Sequence, residues 1–462
     1  MKLNHFVTEY DDSLYGDSFI DPLGVLVIWS AYGEQIFRKR VNSISNDVRN
    51  YTLNLLNHRL IRDLIDDESV VVSVALRNEI GDKKSLTFKQ AWLIYLENAF
   101  TYSMISGSSS RDLDLSGVLG STNGRRRIDN DPVLILSHKK QAHLLVRQLS
   151  LGISGRYKTP FMEIGFFDNQ YQYHDPQATQ LWEKTDVLFG RDNPLGKLYS
   201  ELKEHLISLI NTSNLKSAMP ASCKFSNFPK KIVQTYQKVL ATSGHAGEAT
   251  RAFWLDVTGL DKGAAGMLLT VLDEQADSAE NEEAKTREIF QQAKQRCVAV
   301  NEVEEAHKLD HILTLEPFLA ELDLLFTLAQ HRRNQTVEEL NELWRGMGRD
   351  ENTLQKTAEL VRGNVKLQEV VKGSAKFRLN RLLSVATLGT FEEQLTDLLA
   401  YHAGVMKIRG QLPWVERSGL KQVRLNARTK PLPNPRALGT WVNNYYFPQF
   451  RNLVNGFRGV VA

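Results

Sequence analysis

Apolar residues recur at helical spacing over most of the chain. In VRNYTLNLLNHRLIRDLI, Val48, Tyr51, Leu55, Leu56 and Leu60 fall close to one face. In LTFKQAWLIYLENAF, Phe88, Trp92, Tyr95 and Leu96 do the same, with Thr87 as candidate N-cap. VVVSVAL at 70–76 fits a strand or a buried helix. EAKTREIFQQAKQRCVAVNEVEEAHKLDHILTL, from residue 283, predicts one long helix that ends or kinks at Pro317. Leu319, Leu322, Leu325 and Ala329 then share a face. Thr336/Glu339 and Thr390/Glu393 have capping-box spacing, and Gly363 sits where a helix would end. The tail changes period. In LPWVERSGLKQVRLNAR, Val423, Leu425 and Ala427 alternate with Arg424, Asn426 and Arg428, which predicts a hairpin turning at Ser418-Gly419.

The expected fold is mainly α: a multi-domain helical protein with long central helices and a small C-terminal β-hairpin-containing subdomain. The expected divisions are an N-terminal helical domain over 1–210, a linker over 211–228, a central helical domain over 229–404 and a basic, aromatic-rich subdomain over 405–462. Residues 106–131, rich in Ser, Gly, Asp and Asn, read as a mobile loop.

Composition narrows the class. The chain has 462 residues, 42% hydrophobic and 24% charged, which excludes wholesale disorder. Two cysteines, Cys223 and Cys297, make no disulfide framework. The start, MKLNHFVTEYDDSLYGDSF, lacks an apolar signal core, and no apolar run is long enough to span a bilayer. A cytoplasmic protein with no membrane partner is expected.

Charge changes the picture more. The net charge is only +3, but it is segregated. Residues 273–305 hold ten acids and four bases; residues 405–462 hold ten bases and one acid, Glu416. No acid lies between Pro132 and Met162, and Arg125, Arg126 and Arg127 stand just upstream. Ser137 is placed to cap a helix from His138, turning Ala142, Leu145, Val146 and Leu149 inward and Lys140, His143 and Arg147 outward. Gly152 and Gly155 then let the chain turn, so that Arg156 and Lys158 lie near that face. Two readings stand: a phosphate-binding surface, or a solvated face whose charges pair with acids elsewhere in the fold. The tail has three: arginines and aromatics (Trp414, Trp441, Tyr445, Tyr446, Phe447, Phe450, Phe457) for single-strand stacking, a protein hot spot, or a subdomain core. Arg424 and Arg428 are its candidate nucleic-acid contacts.

Motifs for chemistry are few. Glu304, His307 and His311 can share a helix face, but a di-metal site needs a second such helix, and none is found. No metal or cofactor is expected. YHDPQ sets His174 beside Asp175 near Asp168, without a recognisable nuclease spacing. GISGRYK (152–158) lacks the P-loop frame, and GSTNG (120–124) is no dinucleotide fingerprint.

DPLGVLVIWSAYGEQIF, RQLSLGISGRYKTPFMEIGFFD and KIRGQLPWVE with VNNYYFPQF resemble stretches of large bacterial proteins encoded beside helicases and nucleases in anti-phage defence islands. The resemblance carries no catalytic residue. It implies a context, one component of a multi-protein system directed at DNA. The leading expectation is a nucleic-acid-binding accessory or adaptor subunit, with DNA and other protein subunits such as a helicase or nuclease as partners. A metal-dependent nuclease with an unrecognised motif and a protein-interaction scaffold that touches no nucleic acid remain as alternatives.

Overall fold

A computed structural model describes residues 21–110, 112–190, 193–216, 220–275, 282–427, 431 and 434–459, with backbone alone for 215–216 and 282–285. The fold is mainly α, with two small sheets among the described residues. The labelled elements are α1 (Leu26–Phe37), α2 (Val48–Asp66), α3 (Leu86–Ser106), α4 (Ser121–Ile128), β1 (Val133–Ile135), α5 (Pro194–Lys216), β2 (Ser222–Lys224), α6 (Lys230–Val239), α7 (Ser243–Thr258), α8 (Glu282–Ala299), α9 (Val303–Ala329), β3 (Asn334–Thr336), α10 (Val337–Gly346), α11 (Thr353–Gly363), α12 (Phe391–Ile408), β4 (Val415–Arg417), β5 (Gln422–Leu425) and α13 (Phe447–Phe457). No helix among the described residues is long and apolar enough to cross a membrane. The chain forms two compact units. Unit 1 takes residues 1–35 and 278–445; unit 2 takes 36–277 and 446–462. Neither the expected boundary at 210 nor that at 404 coincides with this division.

Unit 2 is built around α2 and α3. Every residue of α3 from Ala91 to Ile105 is buried, so this helix is apolar nearly all round, as a central core helix should be. Its N-cap is Ser85, whose hydroxyl accepts the Phe88 N–H, rather than Thr87. VVVSVAL is neither single strand nor single helix: it runs extended to Ser73, which caps a helix over Val74–Ile80. The described part of the expected linker is regular structure at both ends: α5 continues to Lys216, and β2 pairs antiparallel with β1, Leu134 opposite Cys223. A three-residue strand carries no periodicity signal. The last helix, α13, seats on α7 by backbone contact. A Cβ at Gly247 would come within 1.9 Å of the Gly456 carbonyl oxygen, so only glycine fits there.

Unit 1 is organised by the α8–α9 hairpin. The single helix expected over 283–315 is two helices, since Asn301 adopts a left-handed conformation (φ 62°) that the helix cannot absorb. Pro317 does not end α9; it lies inside it. Both capping boxes are present, at Thr336/Glu339 and Thr390/Glu393. Gly363 is the last residue of α11, with Asn364 as its C-cap. The expected hairpin forms as β4 and β5, and β3 completes a sheet of order β3-β5-β4. Val423 and Leu425 face inward and Arg424 outward.

The tail is no free-standing subdomain: it divides between the units at Tyr445. In unit 1, α9 presents two fully buried carboxylates to it. Glu316 accepts the Asn443 N–H at 3.0 Å, the Asn443 amide at 3.0 Å, the Tyr445 hydroxyl at 2.7 Å and the Val442 N–H. Glu321 accepts the Gly439 N–H at 3.0 Å and a two-pronged contact from buried Arg349, both arms at 2.9 Å. Arg349 also donates to the carbonyls of Arg436 and Ala437, so Glu321 has a charged partner and Glu316 is met by neutral donors.

Candidate nucleic-acid interface

The stretch without acids draws its carboxylates from elsewhere in unit 2. Glu79 accepts the Ser137 hydroxyl at 3.0 Å and the Lys139 ammonium at 2.7 Å. Glu97, fully enclosed on α3, accepts the Ser154 N–H at 2.7 Å and the Gln148 amide at 3.1 Å. Burial pushes the Glu97 carboxyl up, against the pull of those donors. Its neighbour Asn98 donates to the Ala142 carbonyl at 2.7 Å and accepts from Gln148 at 2.8 Å.

This network overturns the helix expected from His138. The chain makes a single 3-10 turn at Lys140–Ala142, then short helical turns at Gln148–Leu151 and Ile153–Arg156. Val146, assigned to the apolar stripe, is 69% exposed, while Gln148 is buried. The physical reason lies in hydrogen-bond supply. The buried Glu97 and Asn98 need donors and a carbonyl neighbour, and an irregular chain has free N–H groups that a continuous helix does not. Gln148 fills both needs, taking the Leu144 N–H at 2.7 Å while giving its amide to Glu97 and Asn98.

The expected loop at 106–131 contains α4. Gly124 lets it press on α3: a Cβ there would come within 2.4 Å of Ile105 Cδ1. Asn123 donates to the Leu144 carbonyl at 3.2 Å and Arg127 to the His143 carbonyl at 3.4 Å, so α4 lies along residues 143–144. Arg125, Arg126 and Arg127 are exposed in its last turn, where the helix dipole favours cations. Lys140 and Arg147 are also exposed; His143 is half-buried and bonded to the His138 carbonyl. Among the described residues no carboxylate lies within 4 Å of Arg125, Arg126, Arg127, Lys140 or Arg147, though exposed Asp129 follows α4 closely in sequence. Five cations of the expected set are thus exposed without a carboxylate partner among the described residues, and the contacts of Asn123 and Arg127 tie α4 to residues 143–144.

The others go elsewhere. Arg156 is half-buried and donates to the Leu151 carbonyl at 2.9 Å. Lys158 donates to the Asn169 carbonyl at 2.7 Å and stands 4.7 Å from the Tyr171 ring centre. Arg424 is exposed on the unit 1 sheet, in register with Glu416 and Asn334. Arg428 lies outside the described residues.

Of the eight described bases of the tail, five meet acids within their own unit: Arg409 with Asp21, Arg417 with Glu392, Lys421 with Glu338, Arg436 with Asp323 and Arg458 with Asp273. Trp441, Tyr445, Phe447, Phe450 and Phe457 are buried. A stacking surface made of these aromatics is therefore closed.

The candidate chemical motifs resolve into structural roles. Glu304 and His307 converge on the Lys366 ammonium, at 3.4 and 3.3 Å. Lys366 holds the Glu304 carboxyl below its usual range. His311 is buried with its ring beside Tyr32. Among the described residues no group of three or more potential ligands is arranged to hold a metal. Asp175 caps the helix Pro176–Lys184 through the Ala178 N–H at 2.9 Å, and His174 pairs with Asp66 at 2.7 Å. Asp168 accepts the N–H groups of Gln170 and Gln172.

No family model, no curated protein and no solved structure matches this chain.

Proposed function

We propose that the chain is a nucleic-acid-binding accessory subunit that holds a sugar–phosphate backbone, DNA foremost, on the face formed by α4, Lys140 and Arg147. In this reading it serves other protein subunits, such as a helicase or nuclease, in a bacterial defence complex; the defence context comes from the sequence resemblance. One observation carries the binding role. Arg125, Arg126, Arg127, Lys140 and Arg147 are exposed with no carboxylate within 4 Å among the described residues, and the Arg127–His143 contact ties α4 to the segment between Lys140 and Arg147, which supports one shared face. Cations left unpaired by their own fold are free to displace counterions from phosphates.

The test is binding of a labelled DNA as salt is varied. With about four phosphate contacts, log K falls with log salt at a slope of about −3 to −4. Lys140→Glu with Arg147→Glu flattens that slope and weakens every sequence alike, because phosphate contacts position without specifying. Unchanged affinity and slope overturn the proposal. Binding should persist in chelator with no cleavage; cleavage that requires a divalent metal moves the reading to a nuclease.

A further inference from the structure

We infer that unit 2 holds a base-accepting pocket beside α4, so that the nucleic acid it takes is single-stranded. This rests on the phosphate-binding reading of α4. The β1–β2 pairing builds the connection. It sets Lys224 opposite Val133, and the Phe225 N–H then reaches the Pro132 carbonyl at 2.8 Å. Ser226 follows, giving its N–H and its hydroxyl to Asp131, each at 2.8 Å. Phe225 also packs on Tyr102, ring centres 5.7 Å apart, and the Tyr102 phenol interacts with the Arg127 guanidinium. Cationic helix and aromatic wall therefore flank the same tyrosine.

Phe225 is half-exposed and lines an open cavity of about 360 Å³ with Ser106, Ser226, Lys230, Gln234 and Gln237. That size is at the small end for ligand pockets and suits one ring system. The lining matches a nucleobase and its phosphate. Phe225 offers a ring to stack on, and Phe228 backs it, nearly parallel at 6.0 Å. Gln237 gives its N–H to the Ser103 carbonyl at 2.6 Å, which turns its oxygen into an available acceptor. Gln234 is exposed, and among the described residues its amide has no hydrogen-bond partner. Lys230 is exposed with no carboxylate within 4 Å among the described residues. The acid at the rim, Asp131, is occupied by Ser226. A duplex keeps its bases stacked and paired; a single strand can lay one on Phe225.

The experiment uses the full chain and two probes, a labelled mixed-sequence DNA strand and the duplex it forms with its complement. Phe225→Leu should weaken single-strand binding about tenfold and leave duplex binding unchanged, while Phe225→Trp keeps the single-strand affinity. If Phe225→Leu does not fold, Gln234→Ala serves in its place, with a loss of about threefold on the single strand alone. Equal effects on both probes, or none on the single strand, overturn the pocket. In that case Arg126→Glu still weakens both probes if the α4 reading holds. Binding to neither probe overturns both.

Discussion

Arg349 and Arg126 show two ways for a fold to treat a cation. Arg349, in unit 1, is buried against Glu321, and it also donates to the carbonyls of Met347 and, in the tail, Arg436 and Ala437. Arg126, in unit 2, is exposed on α4 with no carboxylate within reach among the described residues. The tail has the larger excess of bases in the sequence, yet five of its eight described bases meet acids inside the fold. The smaller excess around 125–147 is left facing outward. Net charge along a segment says little about binding until the fold shows which charges are already paired.

The comparison breaks first at Arg349. Arg349→Ala leaves Glu321 buried without its partner, and denaturant unfolding should show a loss of about 3–5 kcal/mol. A loss below about 1 kcal/mol would mean that the tail is held by something other than this pair.

Glu316 gives the next largest effect. Burial pushes its carboxyl up to about 7, against four donors from the tail. A raised folded value means that the fold favours the neutral acid. The associated stability is full below about pH 4.5 and is lost as pH rises through 7, a change of about 3 kcal/mol. Unfolding of Glu316→Gln between pH 5 and 8 should lack this decline; an unaltered pH profile would remove Glu316 from the account.

Gly247 tests the seat of α13 in unit 2. Gly247→Ala forces a Cβ against the Gly456 carbonyl and should cost about 1–3 kcal/mol by thermal or denaturant unfolding. The smallest effect belongs to the exposed cations. Lys140→Glu with Arg147→Glu should alter stability by no more than about 0.5 kcal/mol, so any loss of binding is a loss of contact.

Periodicity and capping signals revealed α2, α3 and the two capping-box helices, and alternation revealed the β4–β5 hairpin. It failed where tertiary demand outweighs local pattern. The His138 helix gives way because Glu97 and Asn98 require partners that lie about fifty residues away in sequence. The strands β1 and β2 are too short to alternate visibly, yet they set Phe225 beside the cationic helix. Of the candidate interface, the residue types were legible and their grouping was not. Gly124 seats α4 on α3, and Asn123 and Arg127 tie it to residues 143–144, while Arg156 and Lys158 turn to nearer carbonyls. The carboxylate Glu97 left no trace in the acid-free stretch that it organises.

The central claim, that cations unpaired by the fold bind phosphate and paired ones do not, is tested most directly by two salt titrations on one single-stranded DNA. Arg126→Glu with Arg147→Glu should make the slope of log K against log salt shallower by about 1.5. Arg417→Glu with Lys421→Glu, two unit 1 cations already paired with Glu392 and Glu338, should leave it unchanged. The opposite result, a slope that changes only for the unit 1 pair, or equal changes for both, would contradict the account.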